Sequence, residues 1–477
     1  MRASIVAAVL LLASCGAPTP PFGAAPATSS SASPTAESPP AAAAASPSPS
    51  TSSSATGTPL GGTPPLSAGA VPDAGVLYVQ GGDDQIYRYD GLSGRLDAVS
   101  GKSAFVHETP FGAQIVGRHG SADLLRWDGK IESAICGAGT VVAISAGGSC
   151  AYCGDDGSLL LRLRGESAPR LALPADWGSG AVDWSPDGRR LALTRSLSGG
   201  TLATRAHNAL WLLDADGSTR ELYRPPGDEA FVFWPRWSRD GIYVSFWRQD
   251  GVSASVTADG DRLFLVHVAT AGLRDLGITL VKTEWLQWSS DGKLAFVRGG
   301  GRETWLGKQI VVRERDGTER VASVVDRSAF APAWQEGLGR LAWVEAASGD
   351  GLKDAQYMNG TGFGDRRAVI ASADAKREIR CGSVQESQGV PRGGSQDRVV
   401  EGVRPSLDGN ALLLLCRIPG RDPLPLEIWL YRLNGRSPAA VPLITKMPSD
   451  SLAGGFGYYG AQPSLFSILA WSRAVVP

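Results

Sequence analysis

A Trp-Ser pair recurs at matching places in four stretches of this chain. They are Trp184-Ser185 in AVDWSPDGRRLALTR, Trp237-Ser238 in FWPRWSRDGIYVSFW, Trp288-Ser289 in EWLQWSSDGKLAFVR and Trp471-Ser472 in SILAWSRA. Internal similarity at a period of roughly 40–50 residues marks a propeller or a solenoid, in which one supersecondary unit cannot bury its apolar face until a neighbour stacks on it. Such frames host binding and catalysis alike, so function has to be argued from particular residues.

The repeat unit reads as a four-stranded meander. In the clearest unit, strand A is expected over Ala181–Trp184, a turn at Ser185–Gly188, strand B over Arg189–Arg195, strand C over Ala209–Asp214 and strand D over Thr219–Tyr223. About a dozen Asp-Gly pairs punctuate the chain, and this pair is the strongest short-range hairpin signal. No long helical period is present, so the domain is expected to be all-β. The A–B grammar recurs around Ser238–Gly241, Ser289–Gly292, Gln335–Gly339, where Trp334 stands in the Trp position, and Leu407–Asn410. Upstream, TVVAISAGGSCAYC with SLLLRLRGESAPRLAL gives a third unit, and the stretch from Ser103 to Ile135 a second. The first unit, GVLYVQGGDDQIYRYDGLSGRLDAVS, has strands B, C and D but lacks A, whereas SILAWSRA is an A strand with nothing after it. Pairing these two deficits closes a ring and removes exposed sheet edges. The expected fold is therefore a β-propeller of eight four-stranded blades over residues 73–477, with seven as the alternative.

Two segments precede it. Residues 1–14 combine a basic start (Arg2), an apolar run from Ile5 to Ala13 too short to cross a bilayer, and a following cysteine, as in an export signal. Leu12-Ala13-Ser14-Cys15 resembles a bacterial lipobox, which implies that Cys15 becomes the lipid-modified first residue of the mature protein. An ordinary signal peptide with Cys15 incidental is the alternative. Residues 15–72 are almost wholly Ala, Pro, Ser, Thr and Gly, a composition that buries too little apolar surface to offset its ordering entropy, and are expected to form a disordered tether. The implied localisation is extracytoplasmic, on a bacterial membrane. With a formal net charge of −1, no bulk basic field favours nucleic acid as a partner.

The motif Trp184-Ser-Pro-Asp187-Gly188-x-x-Leu-Ala192, with its variants Trp237, Asp240, Gly241 and Trp288, Asp291, Gly292, resembles the WD-like repeat of TolB-type β-propellers, which are exported bacterial proteins. The likeness is good from Ala181 to about Val344, partial at Arg404–Leu415 and weak before Leu171. It implies that the A strand lines a central channel, that Asp-Gly makes the A–B turn, and that the Trp packs between blades. It also implies a place in envelope assemblies, although the amino-terminal domain that accompanies the propeller in TolB has the tether in its place here.

Loop lengths distinguish the two faces of such a disc. A–B and C–D turns share one face and are tight throughout. B–C and D–A connections share the other and are long at Ser196–Asn208, Gln249–Asp261, Gly299–Lys308, Ala346–Asp365 and Gln385–Val400. Long loops on a rigid scaffold are where binding residues concentrate. Arg205, His207, Arg248, Arg302, Trp305, Tyr357, Asn359 and Phe363 are the candidate recognition residues; tolerated insertions are the alternative reading.

Catalytic signals are sparse. No Gly-x-Ser-x-Gly elbow is present, and a prolyl-oligopeptidase-like enzyme would carry a hydrolase domain beyond the propeller, so that class is not expected. His107, His119, His207 and His267 lack metal-ligand spacing, and Asp214–Gly217 reads as a hairpin turn because the rest of a calcium loop is missing. The docking motif of quinone-dependent propeller dehydrogenases is not found. No cofactor or metal is expected; a carboxylate pair drawn from separate loops leaves no local spacing to detect.

Cys136, Cys150, Cys153, Cys381 and Cys416 remain beside Cys15. Their placement on D and B strands of successive units predicts two inter-blade disulfides, Cys136 with Cys153 (or Cys150) and Cys381 with Cys416, leaving one thiol over. A redox role for Cys150-x-x-Cys153 is disfavoured because residues three apart on a strand face opposite ways. The preferred function is a lipid-anchored binding or scaffold module for an envelope protein, peptide or glycan. A hydrolase or lyase acting on a glycan or peptide in the channel, and a purely structural component, are the alternatives.

Overall fold

The computed structural model describes residues 65–473 apart from 82–84, 101–102, 110–111, 118–121, 133–135, 137–139, 178–180, 198–207, 227–229, 251–259, 302–306, 336–337, 348–365, 373–375, 383–397, 418–425, 435–439 and 448–467. Eight antiparallel sheets follow one another along the chain, each with its strands in meander order. Blade 4, for example, runs Val182–Trp184, Arg190–Ser196, Asn208–Asp214 and Thr219–Tyr223, within a residue or two of the expected strands.

Blade 1 is the composite one. Its innermost strand is Ile468–Ser472, and this pairs with Val76–Gln80 in the register Val76 with Ser472 and Leu77 with Trp471. The chain's two ends therefore share one sheet, closing an eight-bladed propeller. A polar clasp covers the seam. Asp73 accepts two hydrogen bonds from the Arg432 guanidinium at 2.5 and 2.7 Å, and Arg473 reaches both the Asp73 carbonyl at 2.8 Å and the Asp408 carboxylate at 2.8 Å. Hydrogen bonding by Arg432 holds the Asp73 carboxyl below the usual carboxylate range, against an opposing push from burial. The ordered domain also starts before Asp73: Leu66–Ser67 adds a fifth strand to blade 8, pairing with Thr445 and Ile444, and Val71 packs into the seam between blades 8 and 1. A two-residue strand has no periodicity to betray it in a Pro- and Ser-rich stretch.

The core is a series of leaflets between blades. Trp184 and Leu191 of blade 4 pack on Val142 and Leu159 of blade 3. Trp237 meets Leu210 and Leu212 of blade 4, and Trp288 meets Trp247 and Leu263 of blade 5. Trp334 lies in the cluster spanning blades 6 to 8, and Trp471 in the one joining blades 8 and 1. Two of the indoles are also tied by hydrogen bonds of one pattern. Trp237 donates to the Asp183 carbonyl at 3.1 Å and Trp334 to the Gln287 carbonyl at 2.9 Å, each acceptor being the residue just before the preceding blade's Trp.

A serine, after the Trp in blades 4 to 6 and after Pro405 in blade 8, organises the A–B turn. Ser185 Oγ donates to Asp187 at 2.5 Å and accepts the Arg190 amide at 2.9 Å. The same pair of bonds recurs at Ser238 with Asp240 and Tyr243, at Ser289 with Asp291 and Lys293, and at Ser406 with Asp408 and Ala411. At Asp187, Asp291 and Asp408 burial pushes the carboxyl up, but the serine hydroxyl, turn amides and neighbouring cations outweigh it and hold the group below its ordinary range. Gly292 is needed twice over: its φ is +82°, and a Cβ there would lie 2.7 Å from the Asp240 carboxylate of the preceding turn. Successive A–B turns thus pack on one another around this face. The Asp214–Gly217 stretch is a C–D hairpin turn, as expected.

Two disulfides staple neighbouring blades, Cys136–Cys150 and Cys381–Cys416. Each joins the segment after one blade's outermost strand to strand B of the next. The pairing of Cys136 with Cys153 is corrected by strand alternation: Cys150 and Tyr152 share the face turned to Cys136, while Cys153 packs on the opposite face with the blade 3–4 leaflet. Cys153 is itself disulfide-bonded, so the expected leftover thiol is not found and the described residues include no free cysteine.

Candidate functional site

The longest connections, 197–207, 251–260, 348–366, 380–398 and 448–467, join strand ends on the face of the B–C loops, whereas the C–D connections of blades 3 and 8, at 163–169 and 433–440, are longer than the tight turns expected of the other face; the strand ends that carry the B–C loops define what their face can do. In blades 4 and 5 the braces are polar and aromatic. The Asn208 side chain bridges blade 4 to the innermost strand of blade 5, donating to the Val232 carbonyl at 2.9 Å and accepting the Val232 amide at 2.6 Å. Nearby, Phe231, Phe233, Trp234 and Trp247 form a chain of ring contacts with centroids 5.3–6.4 Å apart. Trp234 sits at a β-bulge with φ +49°, and Ala331 occupies the equivalent bulge of blade 7 with φ +51°. Non-glycine residues in this region carry strain that the surrounding structure must hold. Each is followed by proline within Phe-x-Pro-x-Trp, at Phe233–Trp237 and Phe330–Trp334, a spacing from which the bulge could have been anticipated.

In blades 7 and 8 the loop roots rest on buried charge. Arg366, just before the third strand of blade 7, pairs with Glu401 on the innermost strand of blade 8, both side chains fully buried. Arg398 donates to Glu427 at 2.5 Å beneath the Trp429 ring. Glu345, wholly buried, accepts from Trp343 at 3.0 Å and Lys376 at 2.9 Å, with Arg327 and Arg367 at 3.6 and 3.7 Å. Desolvating these ions is expensive and is offset only by good geometry and further hydrogen bonds. Their effect is to fix the ends of the connections 348–365, 383–397 and 418–425 in one arrangement. The three carboxylates are committed to cations and serve as braces.

A second feature runs across blades 6 to 8. Lys282, in the crossover from blade 5 to blade 6, places its ammonium 5.2 Å from the centre of the Trp285 ring. Trp285 stacks on Phe330 of blade 7 at 5.7 Å, and Arg366 lies over the other ring of that pair, 5.4 Å from the Phe330 centroid. Burial pushes the Lys282 ammonium below the usual lysine range, and the Glu284 charge opposes this only in part.

Of the eight candidate recognition residues, Arg248 lies among the described residues. Its guanidinium turns into the interface between blades 4 and 5, donating to the Tyr223 hydroxyl and to Asp250, both at 3.1 Å, and lying 5.0 Å from the Phe264 ring centre. Arg205, His207, Arg302, Trp305, Tyr357, Asn359 and Phe363 fall outside the described residues, as does Cys15. His267 packs edge-on against Tyr243 and accepts the Thr270 amide at 3.3 Å in a C–D turn, on the opposite face. Among the described residues no group of three metal-ligating side chains comes together, and no helix is long and apolar enough to cross a membrane.

The arrangement defines an eight-bladed β-propeller with one face of tight, interlocked turns and one face of long connections on rigid roots. No known family profile matches the chain, and no curated protein matches it either. Among solved structures it is similar to TolB from Acinetobacter baumannii, at 13% identity and a TM-score of 0.29, over 72% of this chain and 79% of that one. It is also similar to a puromycin-hydrolyzing peptidase of Mycobacterium tuberculosis, at 13% identity and a TM-score of 0.40, and to prolyl oligopeptidase B from Galerina marginata, at 8% and 0.38. These matches cover 81% and 80% of this chain but only 57% and 52% of the two peptidases. The propeller itself is established by strand order and ring closure.

Proposed function

We propose that this protein is a lipid-anchored extracytoplasmic propeller whose loop face binds an envelope protein, peptide or glycan. The observation that carries the reading is the asymmetry of the disc. On one face the A–B turns are locked by serine, aspartate and glycine; on the other, long connections rise from strand ends braced by buried ion pairs and ring stacks. Rigid roots beneath long loops lower the ordering cost of binding. Selection for stability alone gives no reason to keep a connection as long as Ala346–Asp365, because shortening it changes closure entropy by only ~1 kcal/mol. Replacing Lys353–Asp365 with a short Gly-Ser turn in the full-length protein is expected to leave the thermal melt within a few degrees of wild type and to remove the partner from affinity captures. A control altered on the turn face, at Asp187-Gly188 and Asp240-Gly241, should keep it. Loss of the partner by a folded turn-face variant, with retention by the loop variant, would place function on the wrong side of the disc.

The lipid anchor rests on Leu12-Ala13-Ser14-Cys15. Metabolic labelling with a radioactive fatty acid is expected to mark the wild type and not Cys15→Ala, with Cys15→Ala released from the membrane fraction in folded form. Peptide mapping that recovers Cys15 in a disulfide, or an unlabelled wild type, would remove the anchor.

A further inference from the structure

Between blades 5 and 6, on the face of the tight turns, three side chains meet around one ring with hydrogen-bond donors left over. Tyr243 opens strand B of blade 5 and stacks on Trp288 of blade 6, the two planes 8° apart. His267, its partner across blade 5, meets it edge-on with centroids 5.3 Å apart. Arg313, which ends strand C of blade 6, holds its guanidinium 5.3 Å from the same ring centre. It is 8% exposed and makes no hydrogen bond or ion pair among the described residues. We propose that Arg313 is the floor of a binding site for one carboxylate, presented by an aspartate or glutamate of a partner protein. The site lies on the face opposite the long loops and is independent of what they bind.

The repeat itself shows that the frame does not call for this arginine. Registers place Trp288, Leu294 and Arg313 in one row across blade 6. The third place in that row is Tyr89, Leu213, Val266, Ala371 and Tyr431 in blades 1, 4, 5, 7 and 8; blade 3 has Arg162 there, which other groups engage. A guanidinium in such a place loses most of its water, and without an acceptor that loss is not made good. An incoming anion supplies what the fold withholds. Nε is sealed off without a partner, and the far end of the side chain lies under Gly317, where an added Cβ would be 3.1 Å from Nη2. The turn glycine therefore leaves the guanidinium uncovered.

Two neutral donors flank it. His267 accepts the Thr270 amide on Nδ1 at 3.3 Å, so the proton of the neutral ring is on Nε2. Neither that N–H nor the Tyr243 hydroxyl has a partner among the described residues. The charge of the neighbouring turn selects a monoanion. Lys293 and Arg320 are balanced by Asp291 and Glu314, with contacts of 3.1–3.6 Å. Asp316 accepts from the Thr318 amide and hydroxyl at 2.9 and 2.7 Å and feels the Arg313 charge, while Arg315 is exposed and unpaired among the described residues. Two arginines against one aspartate leave one positive charge, which a carboxylate balances and a phosphate dianion oversupplies. The planar fork of arginine also matches the two oxygens of a carboxylate. A guanidinium buried to this depth is reached by a carboxylate on a slim stem, as in aspartate or glutamate; a uronic acid carries its carboxylate directly on a bulky ring.

The test uses the full-length protein and an acetylated, amidated pentapeptide with one central glutamate, beside its glutamine counterpart, glucuronate and inorganic phosphate. Calorimetry is expected to show the glutamate peptide binding about tenfold or more tighter than the glutamine peptide. Arg313→Leu, which installs the residue of blade 4, should erase that difference and melt no lower than wild type, because a buried guanidinium without an acceptor contributes little to the core. Arg313→Lys, which keeps the charge without the fork, should keep part of the preference. Equal affinity of wild type for the two peptides, or a preference that survives in folded Arg313→Leu, would overturn the proposal. So would glucuronate or phosphate binding as tightly as the glutamate peptide. A melt lowered by more than a few degrees in Arg313→Leu would overturn it as well, by making the arginine a brace of the blade interface. The partner removed by the Lys353–Asp365 replacement plays no part in these readouts, so either result stands without the other.

Discussion

Deleting residues 467–477 is expected to abolish cooperative unfolding of the entire domain, although it removes few residues. The deletion takes away the innermost strand of blade 1 and with it Trp471, which is 3% exposed and donates to the Ala74 carbonyl at 2.7 Å. Loss of a buried tryptophan alone costs roughly 3–5 kcal/mol. Ladder bonds to Val76–Val79 and the Arg473 half of the seam clasp go too. The bridges Cys136–Cys150 and Cys381–Cys416 staple blade 2 to 3 and blade 7 to 8, so neither holds the seam. Against a total stability of about 5–15 kcal/mol for a folded domain, these losses leave little. The truncated chain should show no sharp thermal transition and rapid proteolysis throughout; a melt comparable to full length would mean that the ends do not close the ring.

The second large effect is expected at Glu401. Replacing it with alanine removes the carboxylate from a guanidinium that is about 1% exposed, and breaking one side of a buried pair typically costs about 3–5 kcal/mol. The double variant Glu401→Leu with Arg366→Met should recover a good part of that loss, since the remaining ion is removed with its partner. Urea midpoints of Glu401→Leu, Arg366→Met and the double give the coupling directly. A loss below about 1 kcal/mol for Glu401→Ala would show that the pair braces nothing.

Much of the frame was legible because it is local and repeated. Trp-Ser-x-Asp-Gly spells out a turn whose bonds span five residues, from Ser185 to Arg190, so the sequence window contains the whole device. Ring closure was legible from a mismatch, one unit lacking its first strand and one strand lacking its unit. The pairing of Cys381 with Cys416 followed from strand placement, and the choice between Cys150 and Cys153 depended on which face of one short strand met blade 2. Leu66–Ser67 was invisible because its partner strand lies at the other end of the chain. The loop-face braces were invisible for the same reason: Arg366 and Glu401 are 35 residues apart, Arg398 and Glu427 are 29 apart, and nothing in either neighbourhood marks them as a pair. Arg248 illustrates the converse. It stands at the start of a long connection, yet the alternation of its strand turns it toward Tyr223 and Phe264.

The loop face is presented by a ring that holds only if Val76–Gln80 and Ile468–Ser472 meet in one sheet. Native-state hydrogen exchange on the full-length protein reads this most directly, at the amides of Tyr78 and Ala470, which face each other across the seam. With the seam closed, these amides should exchange only through global opening, at the same rate as Leu191 and Leu193 in the middle of blade 4. Exchange many-fold faster at the seam than in blade 4 would show frayed ends and contradict the closed eight-bladed ring.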